Sequence, residues 1–231
     1  MVSTIVLHNY KMTKRILDIL ISFSAILIVS PILVVVIIVL KFTGEGEVFY
    51  LQKRIGKNGK EFGLLKFATM IKNSPKIGAG EITLPNDPRV LPVGKFLRKT
   101  KINELPQIWN ILNGQMSIVG PRPMVPNTFL KYPDTDKKII MKIKPGLTGI
   151  GSIIFRDEES YLENKSNAMK FYDKEIIPYK SSLEVWYTNN DSIKNYFLVI
   201  FVTAWIIIFP KSRITDIVFK GLPKKPNFLK K

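Results

Sequence analysis

Arg98, Lys99 and Lys101 stand just before Asn103-Glu104-Leu105-Pro106-Gln107, and Arg122 follows between Pro121 and Pro123. Leu105, Ile108, Trp109 and Leu112 recur at i, i+3, i+4 and i+7, which predicts a helix beginning near Asn103 with that face apolar. The first-turn N–H groups of such a helix lack intrahelical acceptors and favour an anion. Prolines on both sides of Arg122 restrict its backbone and so limit where its guanidinium can point. Cations, a helix start and a pinned arginine in one stretch predict a phosphate site.

Composition narrows the chemistry that such a site could perform. The chain has 231 residues, is 46% hydrophobic and carries a formal charge of +17. That length suits one compact domain plus a membrane element, and the charge favours anionic partners such as phospholipid head groups or pyrophosphates. No zinc-finger, RRM, KH or basic-zipper pattern accompanies the charge, so nucleic acid is not the expected partner. There is no cysteine, and the single histidine is His8. Thiol nucleophiles, thiolate metal sites and histidine-based triads are therefore excluded, leaving carboxylates, lysines and tyrosines for attack or proton transfer.

The elements that must position these residues divide the chain into a tail (1–13), a membrane helix (14–41), a body (42–195) and a C-terminal interfacial helix with a basic tail (196–231). Ile16 to Leu40 is apolar apart from Asp18 and a few serines, and would extend about 37 Å as a straight helix. Ser30-Pro31 lies just past its midpoint, where proline removes a helical hydrogen bond. Lys11, Lys14 and Arg15 precede it, and Lys41, Lys53 and Arg54 follow. Basic residues on both sides favour a re-entrant helix that breaks at Ser30-Pro31 and returns to the cytoplasmic face, a plain transmembrane anchor being the alternative. In the body, Val48–Leu51 and Phe62–Phe67 predict strands joined by an Asn58-Gly59 turn. Residues 73–92 read as a loop, Lys144–Gly149 as another turn, and Asp157 as the cap of a helix. Tyr196–Phe209 is too short to span a bilayer and fits a buried or interfacial helix. The lysine-rich tail with Phe219 and Phe228 fits a surface resting on anionic lipid.

Arg98-Lys99-Thr100-Lys101-Ile102-Asn103-Glu104-Leu105-Pro106-Gln107 and Gly114-Gln115-Met116-Ser117-Ile118-Val119-Gly120-Pro121-Arg122-Pro123 closely resemble the signature of the bacterial sugar transferases, the monotopic polyprenyl-phosphate phosphoglycosyl transferases. The resemblance runs from about Lys14 to Lys194, through Arg54-Ile55-Gly56, Lys66-Phe67, Asp87-Pro88-Arg89 and Lys144–Gly149. It implies a helix-rich mixed α/β monotopic membrane protein, with a compact catalytic domain on the cytoplasmic face of the bacterial inner membrane. It further implies transfer of sugar-1-phosphate from a UDP-sugar to polyprenyl (undecaprenyl) phosphate with release of UMP, the first membrane step of surface-glycan assembly, assisted by Mg²⁺. Lys66, Asp87, Arg89, Arg98 and Arg122 become the expected substrate-binding residues. Glu104 becomes the expected catalytic carboxylate and Mg²⁺ ligand, with Asn103 orienting phosphate. Three positions depart from the family wording. Asn103 replaces the aspartate that attacks phosphorus, Ala68 replaces an arginine, and Gln115 replaces an aspartate. A scaffold that binds lipid or nucleotide without turnover is the alternative these departures raise. The sugar is not legible, and a homodimer is compatible with the chain.

Overall fold

The computed structural model describes residues 2–77, 83, 87–163 and 167–229. Helix α1 (Val2–Lys41) runs 40 residues, about 60 Å if straight. It remains helical through Ser30-Pro31, so the expected break is not an interruption of the helix. The physical reason is local. Pro31 has no N–H for the carbonyl of Leu27, and the Ser30 hydroxyl donates to that same carbonyl at 3.0 Å, replacing the lost bond.

Both halves of α1 rest on the same folded body. Near its start Lys14, Asp18 and Ser22 are buried, with Leu17 and Ile21 against the main core. Near its end Val36 and Leu40 are buried against Phe67 and Leu97. Between these contacts Phe23, Leu27, Ile28 and Val35 are exposed.

Strands β1 (Phe49–Ile55) and β2 (Glu61–Phe67) form the predicted antiparallel hairpin, in a register that pairs Tyr50 with Lys66. Its turn needs positive φ at Asn58 (57°) and Gly59 (74°), which these two residue types tolerate. Helix α2 (Pro92–Lys99) follows. The single helix predicted from Asn103 is divided into a 3₁₀ turn, Ile102–Glu104, and α3 (Gln107–Leu112). Its expected face also differs, because Gln107, Ile108, Asn110 and Ile111 are buried while Trp109 is 57% exposed. Asn110 can be inward because its carboxamide is satisfied. It accepts from Leu65 N at 2.9 Å and donates to the Gly63 carbonyl and to Gln115 Oε1, both at 2.7 Å. Apolar periodicity cannot register a polar residue that pins α3 to β2.

Strand β3 (Ser117–Val119) pairs in parallel with β4 (Gly146–Thr148), so part of the predicted Lys144–Gly149 turn is a strand. Its glycines serve backbone contact: a Cβ on Gly146 would lie 2.1 Å from Gly120 N. Among the described residues, eight further α-helices complete the body and the C-terminal region. They are α4 (Pro126–Leu130), α5 (Asp134–Ile140), α6 (Ile150–Ile154), α7 (Glu158–Leu162), α8 (Ala168–Phe171), α9 (Ile177–Asn189), α10 (Ile193–Ile208) and α11 (Ile214–Val218). A π-helical segment, Tyr172–Ile176, links α8 to α9. Asp157 precedes α7 but its side chain makes no capping bond, contrary to expectation. Of the predicted 73–92 loop, Ser74–Lys76 is a 3₁₀ turn and Met70 bridges Val90, while 78–82 and 84–86 lie outside the described residues.

The core joins α3, β3, α6, α9 and α10 through Ile111, Val119, Ile150, Leu183 and Val199. The opposite face of α10 leaves Phe197, Phe201 and Ile208 exposed, the two-sided pattern expected of an interfacial helix.

Candidate active site

A cavity of 2430 Å³ is lined by Lys66, Arg98, Asn103, Glu104 and Arg122, and also by Ile200 and Ile207 of α10. Strand β2 supplies Lys66. The reversal from α2 into the 3₁₀ turn is made by Lys101 at φ 61°, a left-handed conformation that costs a non-glycine residue on the order of 1 kcal/mol. That reversal delivers Asn103 and Glu104 to the cavity wall. Strand β3 runs into Gly120-Pro121-Arg122, and the Arg122 N–H donates to Glu184 Oε1 at 3.2 Å. The arginine is thus held by a buried carboxylate as well as by its flanking prolines.

Arg122 Nη2 donates to Glu104 Oε1 at 3.3 Å. Burial by itself pushes the Glu104 carboxyl up, but the charges of Arg122, Lys66 and Lys101 outweigh it and hold the group at about 2. Lys66 moves the other way. Desolvation, with Arg54 adding repulsion against a counter-pull from Glu104, brings its ammonium down to about 7. Burial also pushes Glu184 up to about 7. The site therefore holds a permanent carboxylate facing a permanent guanidinium, beside a lysine that titrates near neutrality.

Asn103 is only 7% exposed, and its Oδ1 is buried without a hydrogen-bond partner among the described residues. It does not cap α3, whose N-cap position is Pro106. A buried, unpartnered carbonyl costs about 1–3 kcal/mol, so this oxygen is suited to a donor or cation that arrives with a ligand. Of the residues expected from sequence, the fold brings Lys66, Arg98, Asn103, Glu104 and Arg122 to one cavity. Asp87 also lines it, but its carboxylate receives Arg89 Nε at 2.8 Å and is ion-paired with Arg89 Nη2 at 2.5 Å. Arg89 is 4% exposed and donates its Nη1 to the carbonyls of Ser74 and Ile77, both at 2.8 Å. Its donors hold the chain around Ser74–Ile77 rather than face the cavity.

Two of the three sequence departures acquire a location. Gln115 lies past the far end of α3 from Glu104 and accepts from Asn110, so it has a structural use remote from the phosphate cations. Ala68 is on the cavity wall together with Asn103. Residues given no site role from sequence also enter. Arg54 donates to the Pro123 carbonyl at 2.9 Å. Lys180 pairs with Glu158 at 2.8 Å while lying over the rings of Phe155 and Tyr172. Their signals, Arg54-Ile55-Gly56 and Pro178-Tyr179-Lys180, carry no phosphate pattern of their own.

No group of three or more Asp, Glu, His or Cys converges among the described residues. Mg²⁺ commonly binds through one or two carboxylates with substrate phosphates completing its shell. Glu104 and the unpartnered Asn103 oxygen fit that mode, and do not fit an all-protein cage.

The chain matches a family model described as bacterial sugar transferase over residues 9–210. It is 40% identical over 163 residues to the exopolysaccharide production protein ExoY of Sinorhizobium fredii, covering 64% of this chain and 72% of that protein. It is 33% identical over 212 residues to an uncharacterized sugar transferase of Haemophilus influenzae, and 31% identical over 216 residues to the undecaprenyl-phosphate galactose phosphotransferase of Salmonella typhimurium. These alignments cover 86% and 87% of this chain, but it spans only 41% of either longer relative. With the signature cations gathered at one cavity and the match extending over most of its length, the chain belongs to the bacterial sugar transferase family.

Proposed function

We propose that this protein is a phosphoglycosyl transferase, moving sugar-1-phosphate from a UDP-sugar to polyprenyl phosphate and releasing UMP. The observation that carries the reading is the composition of one cavity, whose lining joins the cations Lys66, Arg98 and Arg122 to apolar residues of α10. Such a cavity suits a substrate with a charged phosphate head and a hydrocarbon tail. Relatives named for UDP-glucose and undecaprenyl-phosphate chemistry in Klebsiella pneumoniae and Escherichia coli support the substrate classes.

Phosphoryl transfer asks the protein mainly for position and for charge to stabilise the transition state. Lys66, Arg98 and Arg122 take up the charge of the diphosphate. Glu104, already ionised, holds Arg122 in place and is the carboxylate that would hold Mg²⁺. Bound there, Mg²⁺ would neutralise charge on the phosphate oxygens. Asn103 orients the phosphate, since a neutral carboxamide is a far weaker nucleophile than a carboxylate. In the direct route an oxygen of polyprenyl phosphate attacks the sugar-linked phosphorus. The bond to the UMP oxygen breaks, and UMP leaves with that electron pair.

We place the reaction at the cytoplasmic face of the bacterial inner membrane, with α1 re-entrant. Support comes from the packing of both halves of α1 on one body, with exposed apolar residues between. A helix spanning the bilayer would carry its two ends to opposite sides. Incubating the lipid-embedded protein with a panel of UDP-sugars, undecaprenyl phosphate and Mg²⁺ tests the activity. UMP should appear with at least one sugar, and only with all components present. A second reading, a ligand-binding scaffold without turnover, is favoured by the carboxamide at position 103. UDP binding without UMP across the panel would select it.

A further inference from the structure

Three charged residues near the start of α1 are used up in contacts with the body, and two of them grip the segments that lead to the site. Arg15 donates Nη1 to the carbonyl of Ile111 at 2.6 Å and Nη2 to that of Leu112 at 2.7 Å. These are the last carbonyls of α3; that of Ile111 also accepts from Gly114 N at 2.9 Å, and a cation at this helix end favours the negative end of the helix dipole. Asp18 is 2% exposed. Its Oδ1 accepts from Ile118 N at 2.9 Å, from the Ser117 hydroxyl at 3.0 Å and from the Tyr196 hydroxyl at 3.0 Å. Strand β3 pairs with β4 through its neighbours Ser117 and Val119, so the Ile118 N–H points to the other edge. Asp18 takes the donor that an adjacent strand would otherwise have accepted. Lys14 completes the face, pairing with Asp191 at 2.7 Å just before α10.

The two gripped segments are the ones that carry the ion pair of the site. Glu104 ends the 3₁₀ turn that leads into α3, seven residues before Ile111. Arg122 lies four residues beyond Ile118. The two side chains meet at 3.3 Å, a separation that depends on how α3 and β3 sit relative to each other. That placement is what α1 clamps at the opposite ends of both segments.

We propose that Arg15 and Asp18 are positioning residues for the active site, so that seating α1 in the membrane and aligning Glu104 with Arg122 are one structural event. The membrane helix is then part of the catalytic framework and not only an anchor. The consequence for turnover rests on the phosphoglycosyl transferase reading, whereas the positioning itself can be read through UDP binding.

The test uses the full chain in lipid nanodiscs with conservative changes. Arg15→Lys keeps the charge but not the two-point contact, Asp18→Ala removes the acceptor, and Asp18→Asn keeps a neutral acceptor of the same shape. Per folded molecule, Arg15→Lys and Asp18→Ala should lower kcat by roughly tenfold to a hundredfold, the size associated with misplacement of about 1 Å. Asp18→Asn should recover most of the loss. A double-mutant cycle of Arg15→Lys with Arg122→Lys supplies the readout that a merely structural role would not move. UDP affinity and kcat should be markedly non-additive, because both changes act on one contact. Additive effects in the cycle, or unchanged kcat per folded molecule, would overturn the proposal. If the parent binds UDP yet releases no UMP, the proposed reaction has failed. The UDP-affinity cycle then still decides the positioning role, and if Asp18→Ala does not fold, Asp18→Asn and Arg15→Lys carry the test.

Discussion

Glu104 and Asn103 are adjacent in sequence but opposite in electrostatic character. Glu104 is a committed anion at about 2 with Arg122 beside it, and Asn103 presents a neutral oxygen that nothing in the described protein satisfies. Glu104→Gln is therefore expected to lower turnover by several powers of ten, since it removes the carboxylate and leaves Arg122 unpaired. Asn103→Ala should lower turnover without eliminating it, and thermal unfolding should shift little because no capping bond is lost. Asn103→Asp restores a nucleophile with almost no change of shape. Mass spectrometry of that variant after exposure to UDP-sugar should show a phosphosugar adduct absent from the parent, and an adduct on parent Glu104 would refute the direct route. Lys66 sets the pH dependence. Its folded value of about 7 lies below its ordinary one because of burial and Arg54, so above pH 7 the free site has largely lost this charge. An anionic ligand favours the protonated form, so binding above pH 7 must be accompanied by proton uptake. UDP affinity should fall as pH rises from 7 to 9, by at most about tenfold per unit. Calorimetry in buffers of different ionisation enthalpy would detect the proton, and Lys66→Arg should abolish it. Identical observed heats in all the buffers would contradict this account.

At the scale of elements, α1 decides how the protein meets the bilayer. Ser30 replaces the donor that Pro31 lacks, so the helix passes through proline intact, and the re-entrant reading requires a bend at this position instead of a loss of helix. Single cysteines placed before Lys14 and after Lys41 should both be labelled from the cytoplasmic side, and the native chain has no cysteine to confuse the result. Pro31→Ala restores the backbone donor and should raise the fraction labelled from opposite sides. Opposite-side labelling of the parent would refute the re-entrant geometry.

Across the whole molecule, apolar surface and positive charge act together. The charge of +17 attracts anionic lipid over about 10 Å at 0.1 M salt but only about 3 Å at 1 M. The exposed apolar residues of α1 and α10 are unaffected by screening. Washing membranes with 1 M salt should consequently leave the protein bound, whereas a purely electrostatic attachment would release it. Trp205 is 36% exposed on α10 and lies 4.7 Å from the ring of Phe209. In a variant with Trp109 and Trp186 replaced by phenylalanine, Trp205 should be quenched by brominated lipid and be shielded from aqueous iodide. The reverse pattern would place α10 away from the interface.

Local signals in the amino-acid sequence determined the hairpin, the long apolar N-terminal helix, a second, shorter apolar helix over most of the Tyr196–Phe209 run and the gathering of cations with Glu104. Turn chemistry, hydrophobic run length and dense charge need no knowledge of distant residues. Tertiary structure alone decided that Arg89 turns to Asp87 and to backbone carbonyls, that Trp109 faces outward while Asn110 faces inward, and that Gln115 is remote from the phosphate site. It also decided that Arg54, Glu158 and Lys180 join the cavity, and that Arg15 and Asp18 serve α3 and β3 about 100 positions away. In each of these cases a polar group had to find a partner once water was removed. Which partner lay within reach was a property of the packed chain, since nothing in the spacing of the residues records it.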